Sequence, residues 1–390
     1  MARSHDMTSG SIWRSLLGFS IPIMISNLVQ STYNAVDMLF VGRFTGTESL
    51  AAVSVCGPIL NVMIITLSGM SAGVLVVISG LLGAGDIKQA QDAAHTSVAL
   101  YALMAAVMTV LGLLFVPQIL RLVQTPAAAM PEAKRYLYTV FAGTVFTFGY
   151  NLIGALQRGL GNAAASMSFV IISSAANIAL DAVFIVWLGM GAFGAALGTV
   201  LSQVAAFVIG TVQFARGGAA LRLSARAVRF HKKHLKNILL FGVPTALNEV
   251  MVNLAMLTVS GVANSFGLAS SAAYGVGSRI NSLAIFTDGA MNQTMSAYAS
   301  QNIGAGRQKR ALEGLWKAII LSAGAALGTS LLVLGFASEF SACFDSDPAV
   351  IEQSAAFLRV TVWSYPLFAT VGPLIGFIRG TGNVEASLLV

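Results

Sequence analysis

Apolar runs long enough to cross a bilayer, about 20 residues each, recur along almost the whole chain and decide what it can fold into. Such runs span as helices, whereas a membrane barrel reads as roughly ten-residue alternations of polar and apolar side chains. Charged residues make up only 9% of the sequence, against about 25% in soluble domains. The expectation is therefore an all-α membrane protein. Ten spans can be drawn, over residues 15–40, 51–80, 93–120, 133–156, 164–188, 192–215, 237–263, 272–302, 311–336 and 350–376. An eleventh begins near Asn383.

Lysine and arginine set the expected orientation. With the N-terminus in the cytoplasm, 16 of the 22 basic residues fall on the inner side, among them Arg14, Lys88, Arg158, Arg307 and Arg379. Seven of these lie between spans six and seven, from Arg216 to Lys236. The expected organisation is an N-terminal lobe over 1–215, a basic cytoplasmic linker over 216–236 and a C-terminal lobe over 237–390. The linker reads as a solvated positive-inside loop in preference to a lipid-binding patch. No short apolar core with a small-residue cleavage site follows the N-terminus, so a removed signal peptide is not expected. Cys56 and Cys343 make neither a disulfide framework nor a metal spacing, and the histidines sit in loops or near helix ends. No nucleophile–base pair is visible, so an enzyme is not expected, nor is a cofactor or a nucleic-acid partner.

Two short motifs repeat at one offset. Leu82-Gly83-Ala84-Gly85 returns as Ile303-Gly304-Ala305-Gly306, and Gln157-Arg158-Gly159-Leu160-Gly161-Asn162 returns as Ile378-Arg379-Gly380-Thr381-Gly382-Asn383. Pro22 and Pro244 match at an offset one residue longer. A repeat of six spans gives both halves the same orientation, related by an axis along the membrane normal. By that logic a full second half has six spans, so the expectation is a chain lacking the last two helices. Gly83-Ala84-Gly85-Asp86 is similar to the Gly-x-Gly-Asp of intramembrane aspartyl proteases. Asp86 falls at a helix end, however, and its repeat position is Arg307, so the motif reads as a turn.

Acids inside the spans are expensive and mark function. Asp181 stands at the centre of an apolar run with Asn177 four residues before it, so both side chains share one helix face. Counting along the helices puts Asp37 and Thr199 at a depth similar to Asp181, and Asn151 deeper toward the cytoplasm. Two carboxylates with amide and hydroxyl oxygens suit Na⁺, for which Asp37, Asn177 and Asp181 are the candidate ligands; they equally suit a shared proton. Pro22 interrupts span one and reads either as a static kink or as a hinge. In the second half, Glu249, at the repeat position of Asn27, and Asp288 read as acids of a substrate cavity, which would attract cations.

Asp37 within Val36-Asp37-Met38-Leu39-Phe40-Val41-Gly42, the two Gly-Ala-Gly turns, the two Arg-Gly-x-Gly-Asn motifs and Gln301-Asn302-Ile303-Gly304-Ala305 together resemble the multidrug and toxic compound extrusion (MATE) family. The resemblance implies two pseudo-symmetric six-helix bundles with a central cavity, the second here with four helices and a stub. It implies export of cationic or amphipathic compounds in exchange for Na⁺ or H⁺, by a monomer in the inner membrane. The family's N-lobe cation site is similar to Asp37, Asn151, Asn177, Asp181 and Thr199, its bending proline to Pro22 and its seventh-helix acid to Glu249. The acid that some members carry in the tenth helix has no counterpart between Trp363 and Phe377. Two rival readings are a lipid-linked oligosaccharide flippase, for which a basic cavity is expected, and a non-transporting membrane scaffold.

Overall fold

The computed structural model describes residues 6–216, 221–284 and 286–382. Asn383 and the eleventh span expected there lie outside the described residues. The first lobe holds α1 (Ile12–Phe44), α2 (Thr47–Gly83), α3 (Ile87–Leu122), α4 (Met130–Gly159), α5 (Ala163–Asp181) and α6 (Gly191–Arg216). The second holds α7 (Lys232–Ser265), α8 (Leu268–Ala284), α9 (Phe286–Gly304), α10 (Gln308–Ala342), α11 (Pro348–Thr361), α12 (Tyr365–Phe368) and α13 (Val371–Thr381). Nine helices among the described residues are long and apolar enough to cross a membrane. The expected span 272–302 falls on α8 and α9. The expected span 350–376 is not one continuous α-helix: a 3₁₀ turn over Val362–Ser364 and a further turn separate α11, α12 and α13. Pro366 and Pro373 lie in that stretch, each removing a backbone donor and restricting the residue before it.

In the first lobe α1 packs on α5, and α4 receives α2, α3 and α6. Small residues permit the closest approaches, as is usual between helices in lipid. A Cβ at Gly143 or Gly149 of α4 would overlap Val200 or Phe207 of α6. In the second lobe α9 packs on α13 and α10, and α8 on α11.

The repeated motifs build the same turn in each lobe. Gly85 and Gly306 have φ of 71° and 72°, and Gly161 and Gly382 have 79° and 86°. These are left-handed positions that suit glycine at a helix C-terminus. The next amide closes the turn five residues back, Asp86 N–H to the Leu81 carbonyl and Arg307 N–H to that of Asn302. Asp86 is half-buried and caps α3 by accepting from the Gln89 N–H at 3.0 Å. Its hydrogen bonds from Gln89 hold its carboxyl below the usual range, the chemistry of a cap.

The lobes meet toward one face of the membrane. Gly69 and Gly73 of α2 lie against Gly242 and Ile238 of α7, and Gly83 and Gly80 lie against Gln301 and Gly304 of α9. On the same face, residues 6–10 cross to the second lobe as a strap. Met7 is buried; its N–H donates to Gln301 Oε1 at 3.1 Å, and its carbonyl accepts from Asn302 Nδ2 at 3.2 Å. Arg310 donates to the carbonyls of Met7, Ser9 and Gly10, and Arg307 to that of Thr8. The linker docks here too: the Arg222 and His231 N–H groups donate to Gln91 and Thr96 of α3. Beyond this strap side, the far halves of α1 and α7 expose Met38, Leu39, Met251 and Leu254. Cys56 is buried, Cys343 exposed, and both are free.

Candidate functional site

A cavity of about 530 Å³ lies between the lobes. Its first-lobe wall includes Asn27, Tyr33, Asp37, Tyr136, Asn151, Asn177 and Thr199, and its second-lobe wall includes Asn248, Glu249 and Asn292. Asp181 is not on that wall. It is fully buried, one helical turn beyond Asn177, so the amide stands between the cavity and the acid.

With the Asn177 amide nitrogen facing the acid, as its neighbours require, it donates to Asp181 Oδ2 at 3.2 Å and the amide oxygen accepts from the Thr199 N–H at 3.3 Å. Asp181 Oδ1 has no hydrogen-bond partner, and neither has the buried Asp37 Oδ1. The two carboxylates lie within electrostatic reach of each other, and Tyr33 and Tyr136 within reach of both. An ionised oxygen without a donor, away from water, costs several kcal/mol. The cluster therefore suits a proton or a small hard cation. Asn151 lines the same cavity, but its amide nitrogen is tied to the Thr147 carbonyl of its own helix at 2.8 Å. Thr147 in turn donates to Gln203 of α6.

Two local features seat the acid. Gly198 of α6 faces it, and a Cβ there would overlap Asp181 Oδ1. Immediately after Asp181 the α-helix widens into a π-helix over Ala182–Trp187, closed by Leu188 N–H to the Val183 carbonyl at 3.0 Å. Such wide turns recur at functional positions. Sequence reasoning passed over both, since a glycine in an apolar helix and a run of Val, Phe and Ile carry no distinctive signal. The tyrosines were equally silent, because their importance comes from neighbours on other helices.

The second-lobe acids part company. Glu249 lines the cavity and accepts from Ser68 Oγ at 2.6 Å. Asp288 is not among the lining residues: its Oδ1 accepts from the Gly372 N–H at 2.8 Å, against a glycine whose added Cβ would overlap it. The structure thus places Asp288 at a contact between α9 and α13, apart from Asn27 and Glu249. α1 runs unbroken through Pro22, whose carbonyl accepts from Ser26 Oγ at 2.8 Å. Arg158 and Arg379, counted as loop charges from the sequence, line the cavity on its strap side.

Comparison with known proteins places this geometry. The MatE family model matches residues 22–183 and 244–390. The chain is 27% identical over 388 residues to the probable multidrug resistance protein YpnP of Bacillus subtilis (strain 168), covering 100% of this chain and 87% of that protein. It is 29% identical to the probable multidrug resistance protein YoeA of the same strain, covering 96% and 82%. A crystal structure of MATE in the straight conformation superimposes with a TM-score of 0.93 at 25% identity, covering 100% of this chain and 87% of that one.

Proposed function

The chain belongs to the MatE family of transporters, and on that premise we propose that it is a secondary antiporter, exporting cationic or amphipathic compounds in exchange for Na⁺ or H⁺. The observation that carries the reading is Asp181. It is fully buried with one carboxylate oxygen unpartnered, and the Asn177 amide that bonds it lines the same cavity as Asp37. The incoming ion loads this cluster and neutralises the negative charge of Asp37 and Asp181. The exported cation sits lower between the lobes, attracted by Glu249. Competition between the two positive charges for one acidic cavity is the coupling.

Orientation follows from the positive-inside bias, which survives removal of Arg158 and Arg379 from the inner tally. With the strap side in the cytoplasm, the lobes are closed inside and the cavity faces outward from a cytoplasmic membrane. Pro22, which leaves the carbonyl of Gly18 without its helical donor, is the position in α1 where a bend between loaded and empty states would be cheapest. Asn151 and Thr199 complete the proposed set of oxygens around Asp37, Asn177 and Asp181.

Flux of a fluorescent cation in proteoliposomes tests the reading, with inward Na⁺ and proton gradients imposed separately. One gradient should drive export against the dye's own gradient. Equal flux with and without either gradient would remove the antiport reading.

A further inference from the structure

The arginines on the strap side of the cavity have no part in that scheme, and they are a matched pair. Arg158 lies near the end of α4 and Arg379 near the end of α13, at equivalent places in the internal repeat. Each uses Nη1 to hold a neighbouring side chain, Arg158 to Ser166 Oγ at 3.0 Å and Arg379 to Asn292 Oδ1 at 3.0 Å. In each, Nε is buried without a partner. Arg379 is only 6% exposed. Among the described residues neither guanidinium has a carboxylate within salt-bridge distance. Glu249 acts on Arg379 only at longer range and is already bonded to Ser68.

The same guanidinium edge, Nε with Nη2, is thus left over in both lobes. That edge matches the two oxygens of a carboxylate or phosphate. A guanidinium stays charged at neutral pH, and two of them facing one cavity with a single nearby acid leave a positive floor beneath an acidic upper wall.

We propose that Arg158 and Arg379 each offer an oxyanion subsite on the cavity floor, able to take the carboxylate or phosphate group of an amphiphile whose cationic or apolar part lies higher between the lobes. The oxyanion chemistry stands on the arginines alone; its use on an exported compound rests on the transport reading above. The cavity would then favour zwitterions over simple cations.

The test compares rhodamine B, a zwitterion, with its ethyl ester, which lacks the carboxylate. Each is titrated by fluorescence polarisation against the purified protein in phosphatidylcholine nanodiscs. The charge-assisted fork should make the zwitterion bind about tenfold tighter. Arg158→Gln and Arg379→Gln should each pull the ratio of the two affinities toward one, with Arg→Lys in between, because lysine keeps the charge and loses the fork. A merely structural role would lower both affinities together and leave the ratio standing. Equal affinities in the unsubstituted protein, or a ratio untouched by both Gln variants, overturn the proposal. Two further arms identify the source: inorganic phosphate as competitor reports a free oxyanion, and phosphatidylglycerol discs report a lipid headgroup. Competition in either arm that is lost in the Gln variants supports the subsite. Because binding needs no ion gradient, failure of antiport and failure of this subsite are separate results.

Discussion

Asp181 in the first lobe and Asp288 in the second are both intramembrane acids, and the structure treats them in opposite ways. Asp288 accepts from a backbone N–H supplied by α13. Asp181 has one donor, the Asn177 amide, and one oxygen with none. The lobes share a turn, a pair of arginines and a pattern of helices, yet among the described residues the buried carboxylate oxygens without a partner, on Asp37 and Asp181, both belong to the first. The two acids also differ in burial, Asp181 being fully buried and Asp288 half-buried. What separates the two is that the unpartnered oxygen of Asp181 is sealed away from water.

The comparison breaks if the two acids respond alike to substitution. Asp181→Asn should have the largest effect: coupling between sites typically amounts to about 5–150-fold, so gradient-driven export should fall at least about tenfold in dye efflux from cells. Asn177→Ala comes next. It removes a hydrogen bond to a charged group, so the ion concentration at half-maximal flux should move by about tenfold. The direction identifies the ion. With H⁺, losing the donor favours protonated Asp181 and lowers that concentration; with Na⁺, losing an oxygen ligand raises it. Gly198→Ala sharpens the argument from the protein side. Its methyl meets Asp181 Oδ1, and overpacking should cost about 1–3 kcal/mol, read as a lower melting temperature in detergent. Asp288→Asn should do least, within about twofold in efflux, because asparagine still offers an oxygen to the Gly372 N–H.

Much of the frame was legible because hydrophobic length and the glycine turns are local signals. The first seven spans could be placed from composition, and the offset between Gly85 and Gly306 pointed to turns that share one backbone conformation. Depth counting along helices put Asp37 and Asp181 at a similar level, and the structure brings them within electrostatic reach. That they share an ion remains the proposal tested above. What could not be read was anything set by a neighbour distant in sequence. Asp288 meets its partner 84 residues away. Arg158 and Arg379 sit beside turns, where sequence alone assigns them to water, but the packing turns them into the cavity. Gly198 matters only because an acid on α5 needs its space.

The strap over residues 6–10 has its own consequence. Arg307 and Arg310 grip its main-chain carbonyls, not its side chains. A strap fastened through the backbone is largely indifferent to which residues compose it but sensitive to how many there are. Point changes at Thr8 or Ser9 should leave these contacts in place, whereas deleting one residue of this segment would slip every carbonyl past its arginine and loosen the join between the strap and the second lobe.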